Sequence, residues 1–79
     1  MIYPTVTLNG TAYQVLMDNL LSAMSAVDKA QSALRECDPN GRDYPNGGID
    51  LALGQQRWRL QRLVDVGSEL EEMVAHLAQ

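Results

Sequence analysis

Several residue types that commonly build a protein core are scarce in this chain. Phenylalanine is absent, tryptophan occurs once, and the 79 residues include a single cysteine, Cys37. The core must therefore be assembled from Leu, Val, Met and Ala, and one core at this chain length is only marginally stable. A lone cysteine excludes an internal disulfide and suits a reducing compartment. We expect a single domain whose uncovered apolar surface favours self-association.

Positive charge is also scarce, with 6 Lys and Arg residues against 10 Asp and Glu residues and a net charge of −4. This balance argues against duplex DNA and anionic membranes as partners, because both reward Lys and Arg. No apolar run approaches the roughly 20 residues that span a bilayer, and the N-terminus does not have the layout of a signal peptide. We expect a cytoplasmic protein that binds neither duplex nucleic acid nor membrane.

The residue patterns of common metal sites and nucleophiles are missing or broken. The segment that begins at Asp38 starts like a calcium loop, but Asp43 stands where that loop needs glycine, and Ile49 stands where it needs glutamate. One cysteine and one histidine do not make a zinc site. Nothing places a nucleophile beside a base. We therefore expect no metal, no cofactor and no enzymatic activity.

Proline, glycine, asparagine and aspartate are concentrated in residues 38–48, and they divide the chain into two long apolar patterns. Two helical patterns of similar length joined by such a segment predict an all-α fold, an antiparallel two-helix hairpin that self-associates into a helical bundle. The predicted elements are an extended arm at 1–10, a first helix at 11–37, a loop at 38–49 and a second helix at 50–78.

The first helix is predicted from apolar residues that recur every seven positions. These residues are Tyr13, Leu20, Val27 and Leu34. Thr11 and Gln14 have the spacing of a capping box, in which the two side chains bind the first backbone N–H groups of a helix. Asp38 precedes Pro39, and the residue before a proline avoids the helical region, so the helix should end there.

The second helix is predicted from Leu63, Leu70 and Leu77, which repeat the same spacing, with Asp50 as its N-cap. Each of its two internal glycines, at positions 54 and 67, costs about 1 kcal/mol relative to alanine. Such residues indicate close packing or a local bend. Ahead of both helices, the alternation from Ile2 to Leu8 predicts a short strand or extended arm, which should lie on the helices or pair with a second copy.

A cationic and aromatic group lies in the middle of this acidic chain. Arg42 and Tyr44 belong to the loop, whereas Arg59 and Arg62 are three residues apart and share one helix face, next to Trp58. In one interpretation the guanidinium groups hold phosphate while Tyr44 or Trp58 stacks on a base. In the other, the arginines form internal ion pairs: Arg62 with Asp65, Arg59 with Asp18 or Asp28, and Arg42 with Asp43 or Asp38.

Two short motifs carry a resemblance to a known group of proteins. The segment Thr5-Val6-Thr7-Leu8-Asn9-Gly10-Thr11 precedes the first helix, and Asn40-Gly41-Arg42-Asp43-Tyr44 joins the two helices. In this order the chain resembles small, mostly uncharacterised helical-hairpin proteins encoded by bacteriophages and prophages. Their loop often reads Gly-Arg-Asp-Tyr-Tyr, whereas Pro45 stands here in place of the second tyrosine.

The resemblance implies a phage accessory protein that disarms host defence from the host cytoplasm. Some proteins of this kind are oligomeric sponges for nucleotide second messengers, and others bind a host defence protein directly. We hypothesise a non-enzymatic counter-defence protein that binds a phosphate-bearing nucleotide signal where subunits of a homodimer or higher homo-oligomer meet. Arg42 and Tyr44 are the expected main contacts, with Arg59 and Arg62 as further ones. The alternatives are a module that inhibits a host protein through its acidic face, and a structural phage component.

Overall fold

The computed structural model describes residues 1–79 and consists of two long helices and a short connecting turn. Helix α1 spans Tyr13–Arg35, a 3-10 turn spans Gly41–Asp43, and helix α2 spans Ile49–Leu77. The helices pack antiparallel, so that Gln56 of α2 meets Leu34 near the end of α1. The molecule is 60 Å long and about 20 Å across. The predicted all-α hairpin is confirmed, and neither helix has an apolar stretch long enough to cross a bilayer.

Helix α1 begins two residues later than predicted, and the capping box is not formed. Its N-cap is Ala12, which has no capping side chain, and the Leu16 N–H donates to the Ala12 carbonyl over 2.9 Å. The Gln14 side chain turns forward along the helix instead, where its Nε2 donates to Asp18 Oδ1 over 2.8 Å. A carboxylate acceptor makes a stronger hydrogen bond than a neutral one, so this contact competes with the predicted cap.

Helix α1 also ends two residues earlier than predicted, at Arg35. Its last turn tightens, because the Cys37 N–H donates to the Leu34 carbonyl over 2.9 Å and the Asp38 N–H donates to the Arg35 carbonyl over 3.2 Å. Such bonds to the third preceding residue are typical of helix ends. Cys37 is therefore exposed rather than part of the apolar stripe, and Pro39 follows outside the helix.

The N-cap of helix α2 is Gly48 rather than the predicted Asp50. Gly47 and Gly48 have φ angles of 95° and 91°, in the left-handed region that glycine adopts without steric cost. This backbone path lets the Gly48 carbonyl accept the first helical bond, from the Ala52 N–H over 2.9 Å. Asp50 then lies inside the first turn, where its charge complements the helix dipole.

The contact between the helices is a narrow seam with few buried residues. Met17 and Leu20 of α1 and Ala52 and Gln56 of α2 are buried, and no large side chain is fully enclosed. The half-buried residues around them follow the predicted seven-residue spacing; they include Val27, Leu34, Leu53, Leu60, Leu63, Leu70 and Leu77. Tyr13, which the same spacing placed in the stripe, is exposed. Two helices alone leave much of the apolar surface uncovered.

The N-terminal arm forms no strand. The Gly10 N–H donates to the Thr7 carbonyl over 3.3 Å, which closes a turn just before α1. The arm does contact the helices: the Tyr3 ring stacks on the ring of His76 with centroids 4.4 Å apart and planes 13° from parallel. His76 lies in the last turn of α2, so this stack holds the arm against the end of the hairpin that is remote from the loop.

We expect Gly67→Ala to stabilise the protein by about 1 kcal/mol, because alanine restricts the unfolded chain and favours the helix. A methyl group at Gly67 would lie 3.6 Å from Val27 Cγ1 and 3.9 Å from Gln31 Nε2, which is ordinary contact. Urea denaturation of both proteins measures the difference. A destabilised Gly67→Ala variant would show instead that the helices approach more closely at this point than these distances indicate.

Candidate functional site

Arg59 and Arg62 lie together in an open groove on the side of the helix seam. The groove has a volume of about 350 Å³, and its other lining residues are Leu34, Leu63 and Val66. Arg59, Arg62, Leu63 and Val66 all come from α2. Their spacings of three and four positions place them on one face of the helix. Leu34 of α1 forms the opposite side. The groove therefore combines an apolar floor with two guanidinium groups.

A hydrogen-bond network centred on Gln56 holds this region together. Gln56 is only 5% exposed, and its Nε2 donates to the Leu34 carbonyl over 2.8 Å and to Asp38 Oδ1 over 3.2 Å. Its Oε1 accepts from Arg59 Nη1 over 3.2 Å. One buried amide thus joins the end of α1, the start of the loop and a groove arginine, and it fixes the direction of the Arg59 side chain.

Sequence reasoning missed Gln56, although a signal for it existed. Leu63, Leu70 and Leu77 are spaced by seven residues, and Gln56 lies seven residues before Leu63. Gln56 therefore occupies the same heptad position as these leucines. A polar residue at an apolar heptad position is expected to be buried with a partner, or to specify how helices align. Extending the series backwards along α2 would have identified it.

None of the internal ion pairs predicted from the sequence is formed, and all of the predicted carboxylates except Asp28 accept from amide side chains instead. Gln14 donates to Asp18 over 2.8 Å, Asn40 to Asp43 over 2.9 Å, Gln56 to Asp38 over 3.2 Å, and Gln61 to Asp65 over 2.9 Å. Exposed ion pairs contribute little to stability, so a well-placed local amide competes with a more distant guanidinium. The guanidinium groups of Arg42 and Arg62 make no hydrogen bond within the chain.

The loop is held by Asn40 rather than by the arginine and tyrosine that follow it. Asn40 Oδ1 accepts from the Arg42 N–H over 3.0 Å and from the Asp43 N–H over 3.3 Å, while its Nδ2 donates to Asp43 Oδ2 over 2.9 Å. This is the arrangement in which an asparagine side chain stabilises a turn. The Arg42 side chain and the Tyr44 ring are exposed and free of these contacts.

The four predicted site residues fall into two places in a single chain. Arg59 and Arg62 line the groove, whereas neither Arg42 nor Tyr44 does so. At 1.5 Å rise per residue, Arg59 lies about 15 Å along α2 from Ile49, where the loop enters the helix. The structure therefore brings the helix arginines together and leaves the loop pair as a separate exposed group.

A second groove lies on the other side of the seam and has acidic character. It has a volume of about 310 Å³, and its lining includes Asp28 of α1 and Glu71 of α2 around Val64 and Gly67. No group of three His, Cys, Asp or Glu side chains is arranged to hold a metal ion. The two grooves thus differ in charge, since guanidinium groups line one and carboxylates line the other.

Comparison with models of known protein families, with curated proteins and with solved structures finds no match. No match bears on the resemblance to phage proteins, which stays a prediction from the sequence and is most specific in segments 5–11 and 40–44. A fold as simple as a helical hairpin hosts many unrelated functions, so function has to be argued from the groove and the loop.

Proposed function

We propose that this protein binds a phosphate-bearing nucleotide without converting it, and that it acts as a phage counter-defence protein that withdraws a nucleotide immune signal in the host cytoplasm. One observation carries the proposal. Arg62 has no hydrogen-bond partner in the chain and lies beside Arg59 in an open groove, in a protein whose net charge is −4. Two adjacent guanidinium groups that neighbouring carboxylates do not neutralise are suited to an anionic ligand.

The groove offers the two kinds of contact that a nucleotide needs. A guanidinium group binds phosphate through two parallel N–H donors, and Arg59 is already oriented because Gln56 accepts one of its N–H groups. Leu63 and Val66 supply apolar surface beside these charges, as small-molecule sites usually do. Prior orientation reduces the entropy lost on binding, which favours affinity.

The loop supplies the remaining contacts from a neighbouring subunit. Asn40 holds the turn, so the Arg42 guanidinium and the Tyr44 ring are positioned without being engaged. An aromatic ring that stacks on a base contributes about 1–3 kcal/mol, and Arg42 adds a further phosphate donor. Because these side chains do not line the groove of their own chain, the complete site lies where two subunits meet.

The test is a thermal-shift and calorimetric screen against cyclic and linear nucleotides. A ligand at 100 times its Kd should stabilise the protein by about 2.7 kcal/mol. Arg62→Lys keeps the charge but loses the planar fork, so affinity for the nucleotide found should fall by about tenfold to a hundredfold at unchanged melting temperature. Arg57→Lys is the matched control, because Arg57 is exposed and outside the groove.

The loop variants extend the same test. Arg42→Lys and Tyr44→Ala should leave the melting temperature nearly unchanged, since Asn40 holds the turn, and both should weaken nucleotide binding. Two results would refute the proposal: no nucleotide shifts the melting temperature, or Arg62→Lys binds the nucleotide as well as Arg57→Lys does.

The acidic groove favours one other function, inhibition of a host protein without a small ligand. Asp28 and Glu71 face the same open space, and a basic segment of a partner protein is complementary to that charge. Asp28→Asn would weaken such an interaction and leave nucleotide binding unaffected, so the two functions separate in one pair of measurements.

A further inference from the structure

The outer face of helix α2 exposes two large apolar side chains on either side of a glycine. Leu51 is 69% exposed and Trp58 is 64% exposed, and Gly54 lies between them on the same face, three residues from one and four from the other. Apart from the two adjoining residues and the local helix backbone, no atom of the chain lies within 4 Å of where a Gly54 side chain would be. A glycine inside a helix costs about 1 kcal/mol relative to alanine, and nothing within this chain requires one here.

We propose that a second copy of this chain covers this face, through antiparallel pairing of the two α2 helices about a twofold axis, with Trp58 of each copy seated on Gly54 of the other. The inference deepens the proposed function, on which its account of the ligand site rests, because it states which surface joins the subunits. The pairing itself is independent of any ligand.

The spacing along α2 suits this arrangement. Leu51 and Trp58 occupy one heptad position, and Gly54 and Gln61 occupy the position that adjoins it. In an antiparallel helix pair, residues at one of these positions pack against residues at the other. The register that places Trp58 on Gly54 of the partner subunit also places Leu51 against Gln61 of the partner subunit. The largest side chain of the face thus meets the one residue that leaves room for it.

Charges at the edge of the face act against this register. Asp50 and Arg57 are seven residues apart, so they lie on the same flank of the Leu51–Trp58 stripe. In a twofold antiparallel pair equivalent flanks face each other, and the axis passes Gln56, so Arg57 of each copy lies beside Arg57 of the other. Asp50 lies opposite Val64 of the partner subunit. The apolar packing of Trp58 on Gly54 therefore has to outweigh one repulsion between like charges at the axis.

The surface area of the chain supports a second copy as the occupant. The accessible area is 5946 Å² for a mass of 8.7 kDa, whereas a compact monomer of that mass exposes about 4,700 Å². The excess is about 1,200 Å² per chain, compared with about 800 Å² that each partner buries in a standard interface. The hairpin therefore exposes enough additional area to form one.

The pairing has a consequence for the ligand site. In the same register, Arg62 lies opposite the start of α2 in the partner subunit, so the end of the partner's loop runs beside the groove. A groove with Arg59 and Arg62 from one chain thereby adjoins the loop with Arg42 and Tyr44 from the other. The twofold axis generates two such junctions in each pair.

The experiment measures mass in solution by sedimentation velocity, at micromolar concentrations and without nucleotide. We expect wild-type protein to have the mass of an even number of 8.7 kDa chains. Gly54→Glu should have half that mass or less and keep its helical circular dichroism, because the position opens to solvent within the chain. Val15→Glu, an exposed position on α1, is the control and should keep the wild-type mass.

A change at the axis makes the test independent of Gly54. Arg57→Gln should strengthen self-association by about twofold to fivefold, since it removes the like charges that meet there, whereas Asp50→Asn should leave it unchanged. A monomeric wild-type protein, an odd number of chains, or a Gly54→Glu variant of wild-type mass would overturn the proposal, as would an Arg57→Gln variant that associates more weakly than the wild type. Dimers that bind no nucleotide would refute the proposed function alone. Monomers that bind it would refute the pairing and the site shared between subunits, but not nucleotide binding itself.

Discussion

Replacing Leu20 with aspartate should unfold the protein at room temperature. Leu20 is 8% exposed and lies in the seam that joins the helices. Losing a buried leucine costs about 2–5 kcal/mol, and an unpaired carboxylate in its place adds a further desolvation penalty. Proteins have roughly 0.05–0.15 kcal/mol of stability per residue, so a domain with so few buried residues cannot absorb this loss. Far-ultraviolet circular dichroism should report a largely disordered chain.

Leu21→Asp is the matched control, because Leu21 is the next residue in the same helix but is 47% exposed. It introduces the same charge at the same distance from the helix ends. We expect Leu21→Asp to remain helical, with a loss of about 1 kcal/mol or less. Equal melting temperatures for the two variants would mean that the seam does not run through Leu20.

Truncation of Gln56 should have the second largest effect, a loss of about 2–3 kcal/mol for Gln56→Ala. The side chain makes three hydrogen bonds, two as donor and one as acceptor, and each contributes about 1 kcal/mol or more when a charged partner is involved. Alanine also leaves a gap where the second helix turn of α2 meets the end of α1. Urea denaturation measures the free energy of unfolding directly.

Two further variants show how that loss arises. Gln55→Ala removes the same side chain from an exposed neighbouring position and should change stability by about 0.5 kcal/mol or less. Gln56→Leu keeps the volume, so it isolates the hydrogen bonds from the gap. Combining Gln56→Leu with Arg59→Ala should give a smaller loss than the sum of the single variants, because the two residues share a bond. Additive losses would contradict the contact between them.

The position of Gln56 also links stability to binding. Since Gln56 Oε1 accepts from Arg59, Gln56→Leu should release the Arg59 side chain and weaken nucleotide binding although Gln56 does not line the groove. A variant that loses stability but binds as tightly as the wild type would show that Arg59 does not need this support.

The hairpin itself was predictable because its signals are repeated many times. Leucine and valine at seven-residue spacing mark one face of each helix, and the Pro, Gly, Asn and Asp residues between 38 and 48 interrupt both patterns. A single heptad is weak evidence for a helix, but the same pattern recurs over many helical turns. The same periodicity places Arg59 and Arg62 on one face, and the structure brings them into one groove.

The ends of the helices and the partners of the charged groups were less predictable, because each depends on one local competition. Thr11 and Asp50 are good capping residues by type, yet the chain caps α1 at Ala12 and α2 at Gly48. At the second helix, the left-handed conformation of Gly48 decides the outcome. Likewise, Asp38 and Asp65 accept from glutamine side chains rather than arginines, since several donors lie within reach and differ little in energy.

The amino-acid sequence by itself determined the fold class, the approximate position of both helices and the shared face of Arg59 and Arg62. These depend on periodicity and on turn-forming residues, which act through local conformation and the separation of apolar from polar faces. Only the tertiary structure decided that Gln56 is buried and orients Arg59, that Asn40 leaves Arg42 and Tyr44 free, and that Leu51 and Trp58 face outwards around Gly54. Those facts depend on how the two helices rotate against each other, and that rotation is set by packing across the whole seam rather than by any local segment.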